Sequence, residues 1–259
     1  MIHRGIIVSD RIFTPPMWAV VFILSKELPS NMKDIILGKK GLLNVYDYDR
    51  LYNSAEINMI IDNINEIFNR TQKGMLSGCH GRYHTTFVVD TVEYILKSMS
   101  YNARIIELGK IAALLHDIGV IAGRWNHARK SAALATVFLD DLEHITSNEK
   151  DTIIHAIKDH SDGSNISSVV GAALLIADKV DISKRRIFPD PVDIWHKNLL
   201  EVKNVNLNIT DKVISINIIT TEAFSKELIS GHEKYYEIPI KAANFLNCVL
   251  NFQFNGVEE

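Results

Sequence analysis

The stretch that decides the fold is Ala112-Ala113-Leu114-Leu115-His116-Asp117-Ile118-Gly119. Small and apolar residues carry a helix, read over residues 104–118, into a polar pair, and Gly119 takes the C′ position that ends it. Asp117 then falls in the last turn, where the partial negative charge of a helix end disfavours a carboxylate. Leu114, Leu115 and Ile118 offer it little solvation, and a buried unpaired carboxylate is costly. A cation held jointly by His116 and Asp117 removes the conflict.

Asp178 poses the same problem at the end of the apolar run 169–177, with Leu175, Leu174 and Gly171 as its helical neighbours. An ion pair to Lys179, Lys184 or Arg185 is one answer. A metal shared with other chemistry-bearing residues is the other. His84 supplies a reason to prefer the metal, because on a helix over 83–99 it is in register with Val88, Thr91, Val92, Ile95 and Met99 and so faces the core. Two histidines and two carboxylates, His84, His116, Asp117 and Asp178, suit a divalent metal.

Ten histidines are present, and two more of them are placed for a second ion. His127 stands just before a helix over 128–139 whose alanines permit close packing, and His160 lies on the Ile153 and Ile157 face of a helix opened by the capping-box pattern Thr146-x-x-Glu149. His155 shares a polar stripe with Asp151 and Asp159 and is set aside. His144 sits in a polar loop, while His3, His196 and His232 have no companions and read as structural or exposed. His80, beside Arg82, is divided evenly between loop structure and the rim of the site.

The rest of the chain frames this centre. Its 259 residues exceed the ~150-residue domain prior, which fits one large domain with an appendage. At 47% hydrophobic and 23% charged residues the composition is that of a globular protein and excludes a disordered chain. With 28 basic and 31 acidic residues, a net charge of −3 gives no general attraction to nucleic acid or to an anionic membrane. Cys79 and Cys248 are the two cysteines, neither a disulfide framework nor a thiolate zinc site, which suits a reducing cytoplasm. The apolar run 18–24 spans seven residues, against about 20 for a membrane helix.

Residues 1–53 read as a mixed N-terminal segment. The helical pattern starts near Ser54 with Ile57, Ile60, Ile61, Ile64 and Phe68. A loop with Gly74, Gly78 and Gly81 follows, and helices continue towards residue 187. Pro189 and Pro191 then mark a boundary near residue 190. Beyond it, residues 202–209 and 213–219 alternate with period two, joined through Thr210-Asp211-Lys212 as a hairpin. Helical patterns at 221–230 and 238–247 and an apolar stretch at 249–254 complete a small α+β appendage over 191–259. The expected fold is mainly α, with a helical domain over 54–190 that carries the site.

The ordered set His84 … His116-Asp117 … Asp178 resembles the signature of the HD-domain superfamily of metal-dependent phosphohydrolases. His116-Asp117-Ile118-Gly119 matches the common His-Asp-Ile-Gly form, and Ala177-Asp178-Lys179-Val180-Asp181 is similar to the family's Ala-Asp-Lys ending. The resemblance covers residues 80–187. His127 and His160 match, in order, the extra histidines of binuclear subfamilies. The chain departs from the HD-GYP type, with Ser161-Asp162-Gly163-Ser164-Asn165 after His160 and Val120 after the His-Asp-Ile-Gly motif.

The resemblance implies an HD-domain helical bundle and hydrolysis of a phosphate ester or anhydride of a small, nucleotide-like substrate. His84, His116, Asp117 and Asp178 would hold one ion, and His127 and His160 a second through bridging Asp117. One or two ions of manganese, iron, cobalt, nickel or zinc fit such donors. Water activated by the metal would attack phosphorus, while Lys179, Arg185 or Arg124 would clamp the phosphate. A di-iron oxygenase on the same ligands, and a non-catalytic nucleotide- or metal-sensing signalling module, are the alternatives. The appendage is open to a regulatory or a dimer-forming role, so a homodimer is one expected assembly.

Overall fold

The computed structural model describes residues 47–71, 79–187, 194–230 and 233–258. The apolar run 18–24, Gly74, Gly78, Pro189, Pro191, His3 and His232 lie outside them. The described residues are mainly helical, with a small sheet near the C-terminus. Helices α1 (Asp47–Tyr52), α2 (Ala55–Thr71), α3 (Arg82–Ser98) and α4 (Ala103–Leu115) lead to a 3₁₀ segment (Ile118–Ala122). Helices α5 (His127–Asp140), α6 (Ser147–Asp159) and α7 (Val169–Val180) follow, then a short 3₁₀ turn (Lys184–Arg186) and α8 (Ile194–Leu199). Among these residues no helix is long and apolar enough to cross a membrane.

Helix α7 is the axis of the body. Every residue from Val170 to Val180 is buried, as expected of a helix that is apolar on all sides. It packs against α3, α4 and α6. Ser168 caps its start by accepting from Gly171 N at 3.1 Å, so the first turn is fixed where the chain enters the core. Asn102 does the same for α4, accepting from Ile105 N at 3.0 Å. The capping box expected at α6 is formed, with Thr146 N donating to Glu149 Oε2 at 2.8 Å and Glu149 N to Thr146 Oγ1 at 3.4 Å.

The end of α4 differs from the sequence expectation. The helix stops at Leu115, His116 is its C-cap, and Asp117 leaves the helix with φ −111° and ψ 2° before the 3₁₀ segment begins. Gly119 is not a left-handed C′ residue. It is a close-approach position, because a Cβ there would lie 2.2 Å from Ser131 N and 2.5 Å from Lys130 C of α5. Its amide also donates to Ser131 Oγ at 2.9 Å. Contact with α5 competes with helix continuation, and the glycine permits it.

Residues 47–52, expected in a mixed segment, form α1, which packs on α4. Beyond α8, strands β1 (Val202–Thr210) and β2 (Val213–Thr220) form the expected hairpin. Its turn residues Asp211 and Lys212 both have positive φ, 50° and 65°, the backbone of a type I′ turn. Of the 221–230 pattern only α9 (Glu227–Ser230) is helical. Helix α10 (Glu233–Phe245) then crosses over to β3 (Val249–Phe254), which runs parallel to β2, and β4 (Val257–Glu258) closes the order β1-β2-β3-β4. Ile214, Ile216, Ile218, Leu250, Phe252 and Phe254 are the buried apolar residues of the two central strands. Tyr236 of α10 stacks on Phe252 at 4.9 Å between ring centroids. Helix α10 also packs on α7, and one buried apolar cluster runs from α1 to β3.

Candidate metal centre

Five elements meet at one buried point. Asp117, freed from the helix ladder by the break after α4, lies at the middle. His84 comes from the first turn of α3, His116 from the C-cap of α4, His127 from the first residue of α5, and His160 from the C-cap of α6. His80 precedes α3. The loop holding it is fixed by Cys79 N donating to Arg186 O at 2.6 Å and by His80 N donating to Asn65 Oδ1 at 3.0 Å. The five imidazoles form a closed ring, with neighbouring centroids 5.9 Å (His80–His84), 5.1 Å (His84–His116), 5.0 Å (His116–His160), 5.1 Å (His160–His127) and 5.8 Å (His127–His80) apart.

Hydrogen bonds fix how four of these rings face. Nδ1 of His116 meets Ala113 O at 2.7 Å, Nδ1 of His127 meets Arg124 O at 3.1 Å, and Nδ1 of His160 meets Ile157 O at 2.6 Å. A carbonyl can only accept, so each Nδ1 carries a proton and Nε2 is the ring nitrogen turned inward. His84 Nδ1 donates to Asp181 Oδ2 at 2.7 Å. The Nε2 atoms converge on the carboxylates. His84 Nε2 is 3.1 Å from Asp178 Oδ1 and 3.5 Å from Asp117 Oδ2, and His116 Nε2 is 3.2 Å from Asp117 Oδ2. His127 Nε2 and His160 Nε2 each lie 3.5 Å from Asp117 Oδ1.

That Oδ1 atom is buried without a hydrogen-bond partner. An orphaned carboxylate oxygen at 2% residue exposure is expensive, and two imidazole nitrogens face it. Among the described residues, donors here form three overlapping groups able to hold an ion: His80, His84 and Asp117; His84, His116 and Asp178; and His116, Asp117 and His160. The chemistry fits a divalent transition metal, since neutral imidazole and carboxylate are its common ligands. No protein-family model matches the chain, and no curated protein matches it.

The electrostatics agree with this donor set. Burial alone would raise the Asp117 pKa, but His116 and His80 hold its carboxyl well below the ordinary range. Asp178 is likewise held low against burial by Lys179 and Arg186. Burial pushes His80 down to about 3 and His127 down to about 4, so both are neutral at physiological pH. His84 is the exception. Burial and Arg186 oppose its charge, yet hydrogen bonds to Asp117, Asp178 and Asp181 raise it to about 10. A metal at its Nε2 therefore competes with a proton.

The structure brings together all six residues expected as ligands: His84, His116, Asp117, His127, His160 and Asp178. It also resolves His80 in favour of the site, with Nδ1 2.7 Å from Asp117 Oδ2. His155 is exposed and bonded to Asp151 O, and His144 is exposed, as expected.

The expected phosphate clamps fare differently. Lys179 is buried and spends its ammonium on Asp178 Oδ2 and, at 2.9 Å, on His160 O. Arg185 is exposed. Its neighbour Arg186 turns inward instead, bonded to Asp178 O at 3.0 Å, Asp178 Oδ1 at 3.2 Å and Asp181 O at 3.2 Å. The 3₁₀ turn at Lys184–Arg186 rotates one of two consecutive arginines inward. Asp181 was not expected in the site, although its i, i+3 spacing from Asp178 was visible in the sequence. Arg124 is partly buried beside His127.

Proposed function

We propose that the chain is a metal-dependent phosphohydrolase of the HD-domain type, cleaving a phosphate ester or anhydride of a nucleotide-like substrate. The observation that carries this reading is Asp117 Oδ1, buried, unpartnered and faced by two imidazole nitrogens. The order His84, His116-Asp117, His127, His160, Asp178 resembles the binuclear members of that superfamily. Here His84, His116, Asp117 and Asp178 would hold one ion, with His127, His160 and Asp117 serving a second. A divalent metal in such a site lowers the pKa of water from 15.7 to about 7 and stabilises charge on phosphoryl oxygens.

The chain's own residues prepare the site for that chemistry. The carbonyls of Ala113, Arg124 and Ile157 set the tautomers of three ligands, and Asp181 orients His84. Lys179 and Arg186 keep Asp178 ionised. Burial of the cluster lowers the local dielectric, which strengthens every interaction with a charged substrate.

The experiment is metal analysis of the purified protein together with hydrolysis of bis(p-nitrophenyl) phosphate and a nucleotide panel in added manganese. Chelator-sensitive hydrolysis lost in Asp117→Ala is expected. Hydrolysis retained in Asp117→Ala overturns the proposal, as does iron-dependent oxygen consumption without hydrolysis.

A further inference from the structure

Among the described residues, three cations flank the cluster, and two of them are committed. Lys179 binds Asp178 and the carbonyl of His160, and Arg186 binds Asp178 and Asp181. Arg124 forms no ion pair with any of the three carboxylates, and its buried Nη1 has no hydrogen-bond partner. A guanidinium nitrogen withdrawn from water without an acceptor is costly unless a ligand supplies one. An anion is the ligand such a group takes, and a guanidinium fork matches phosphate oxygens in particular.

The turn that carries Arg124 is built to stay in place. Gly123 has φ 94° and Asn126 φ 54°, so its path is set by two left-handed residues. Lys130 Nζ ties it to α5 by donating to Ala122 O at 2.7 Å and Gly123 O at 3.0 Å. Arg124 O also accepts from His127 N and from His127 Nδ1, each at 3.1 Å. The same residue thus orients a candidate ligand through its backbone and offers a cation through its side chain.

Burial pulls the Arg124 pKa down and Arg186 adds to that, whereas Asp117 and Asp178 support its charge. The guanidinium therefore sits in the field of the cluster without touching its carboxylates.

We propose that Arg124 is the substrate-anion-binding residue of the site, presented by the rigid turn before α5. It takes non-bridging oxygens of the substrate's phosphate. The assignment rests on the phosphohydrolase reading, and its test separates the two.

Inorganic phosphate is titrated calorimetrically into the full chain, chelator-treated and manganese-loaded, for wild type, Arg124→Gln and Arg124→Lys. Metal content is measured on every sample. Arg124→Gln should keep its metal and lose about tenfold or more in phosphate affinity in both states, the scale of a charged hydrogen bond. Arg124→Lys should recover part of that loss. Phosphate affinity unchanged in Arg124→Gln, or no phosphate binding by wild type, overturns the role of Arg124. If metal-loaded wild type hydrolyses bis(p-nitrophenyl) phosphate in that case, the phosphohydrolase reading survives alone. Phosphate binding lost in Arg124→Gln, with no metal uptake or hydrolysis by wild type, supports the anion subsite and sinks the hydrolase.

Discussion

Removing Asp181 tests whether the hydrogen bond behind a ligand, rather than the ligand alone, sets metal affinity. Asp181 Oδ2 accepts from His84 Nδ1 at 2.7 Å, and its Oδ1 accepts from Ser183 Oγ at 3.2 Å. In Asp181→Ala, the His84 ring loses the partner that fixes its orientation and raises the basicity of Nε2. Loss of such a partner costs about 10–100-fold in metal affinity, which is about 1.4–2.7 kcal/mol. Asp181→Asn keeps a carbonyl oxygen for the N–H and should retain most of the affinity. The same carboxylate helps raise the His84 pKa to about 10, so the wild type must displace a proton that Asp181→Ala holds less tightly. The deficit of Asp181→Ala should therefore widen between pH 7 and pH 8.5. Competition with a chromogenic chelator, with the thermal midpoint of the metal-free protein as a folding control, measures both effects. Affinity unchanged in Asp181→Ala, or equal losses in Ala and Asn, would refute the reasoning.

Three further outcomes follow from the structure. Gly119→Ala places a Cβ 2.2 Å from Ser131 N, a backbone atom that cannot swing aside, so overpacking should cost at least about 1–3 kcal/mol in denaturant titration. Thr146→Ala removes one half of the capping box on α6 and should cost about 1 kcal/mol in the same measurement. Metal-free stability should peak near pH 6.5, the ordinary histidine pKa. Below it the unfolded chain takes up protons that His80, held at about 3, and His127, held at about 4, refuse in the fold, so stability falls. Above it the folded chain keeps the His84 proton up to about 10 while the unfolded chain releases it, so stability falls again. A denaturant midpoint that rises steadily from pH 6.5 to pH 9 would contradict that assignment.

The ligand set was legible because each member violates a simple rule of burial. His84 lies on an apolar stripe, Asp117 and Asp178 end apolar runs, and His160 shares a face with Ile153 and Ile157. Asp181 escaped notice because it follows the helix, where periodicity no longer says which way a side chain points. Arg185 and Arg186 could not be separated for the same reason, since a 3₁₀ turn decides which enters the core. Gly119 departs from the expected C′ role because its constraint comes from α5, twelve residues on, and close approach between elements leaves no local pattern. The strands at β1 and β2 were plain from alternation, whereas the parallel pairing of β2 with β3 depends on the crossover through α10.

The central claim is that the buried ring of histidines around Asp117 holds catalytic metal. Metal content of the purified protein, measured before and after chelation beside manganese-supported phosphodiester hydrolysis, tests it most directly. About two ions per chain, as in two-metal phosphohydrolase sites, with hydrolysis lost on chelation and restored by metal, is the result the account predicts. A chain that takes up no divalent ion and hydrolyses no phosphate ester would contradict it.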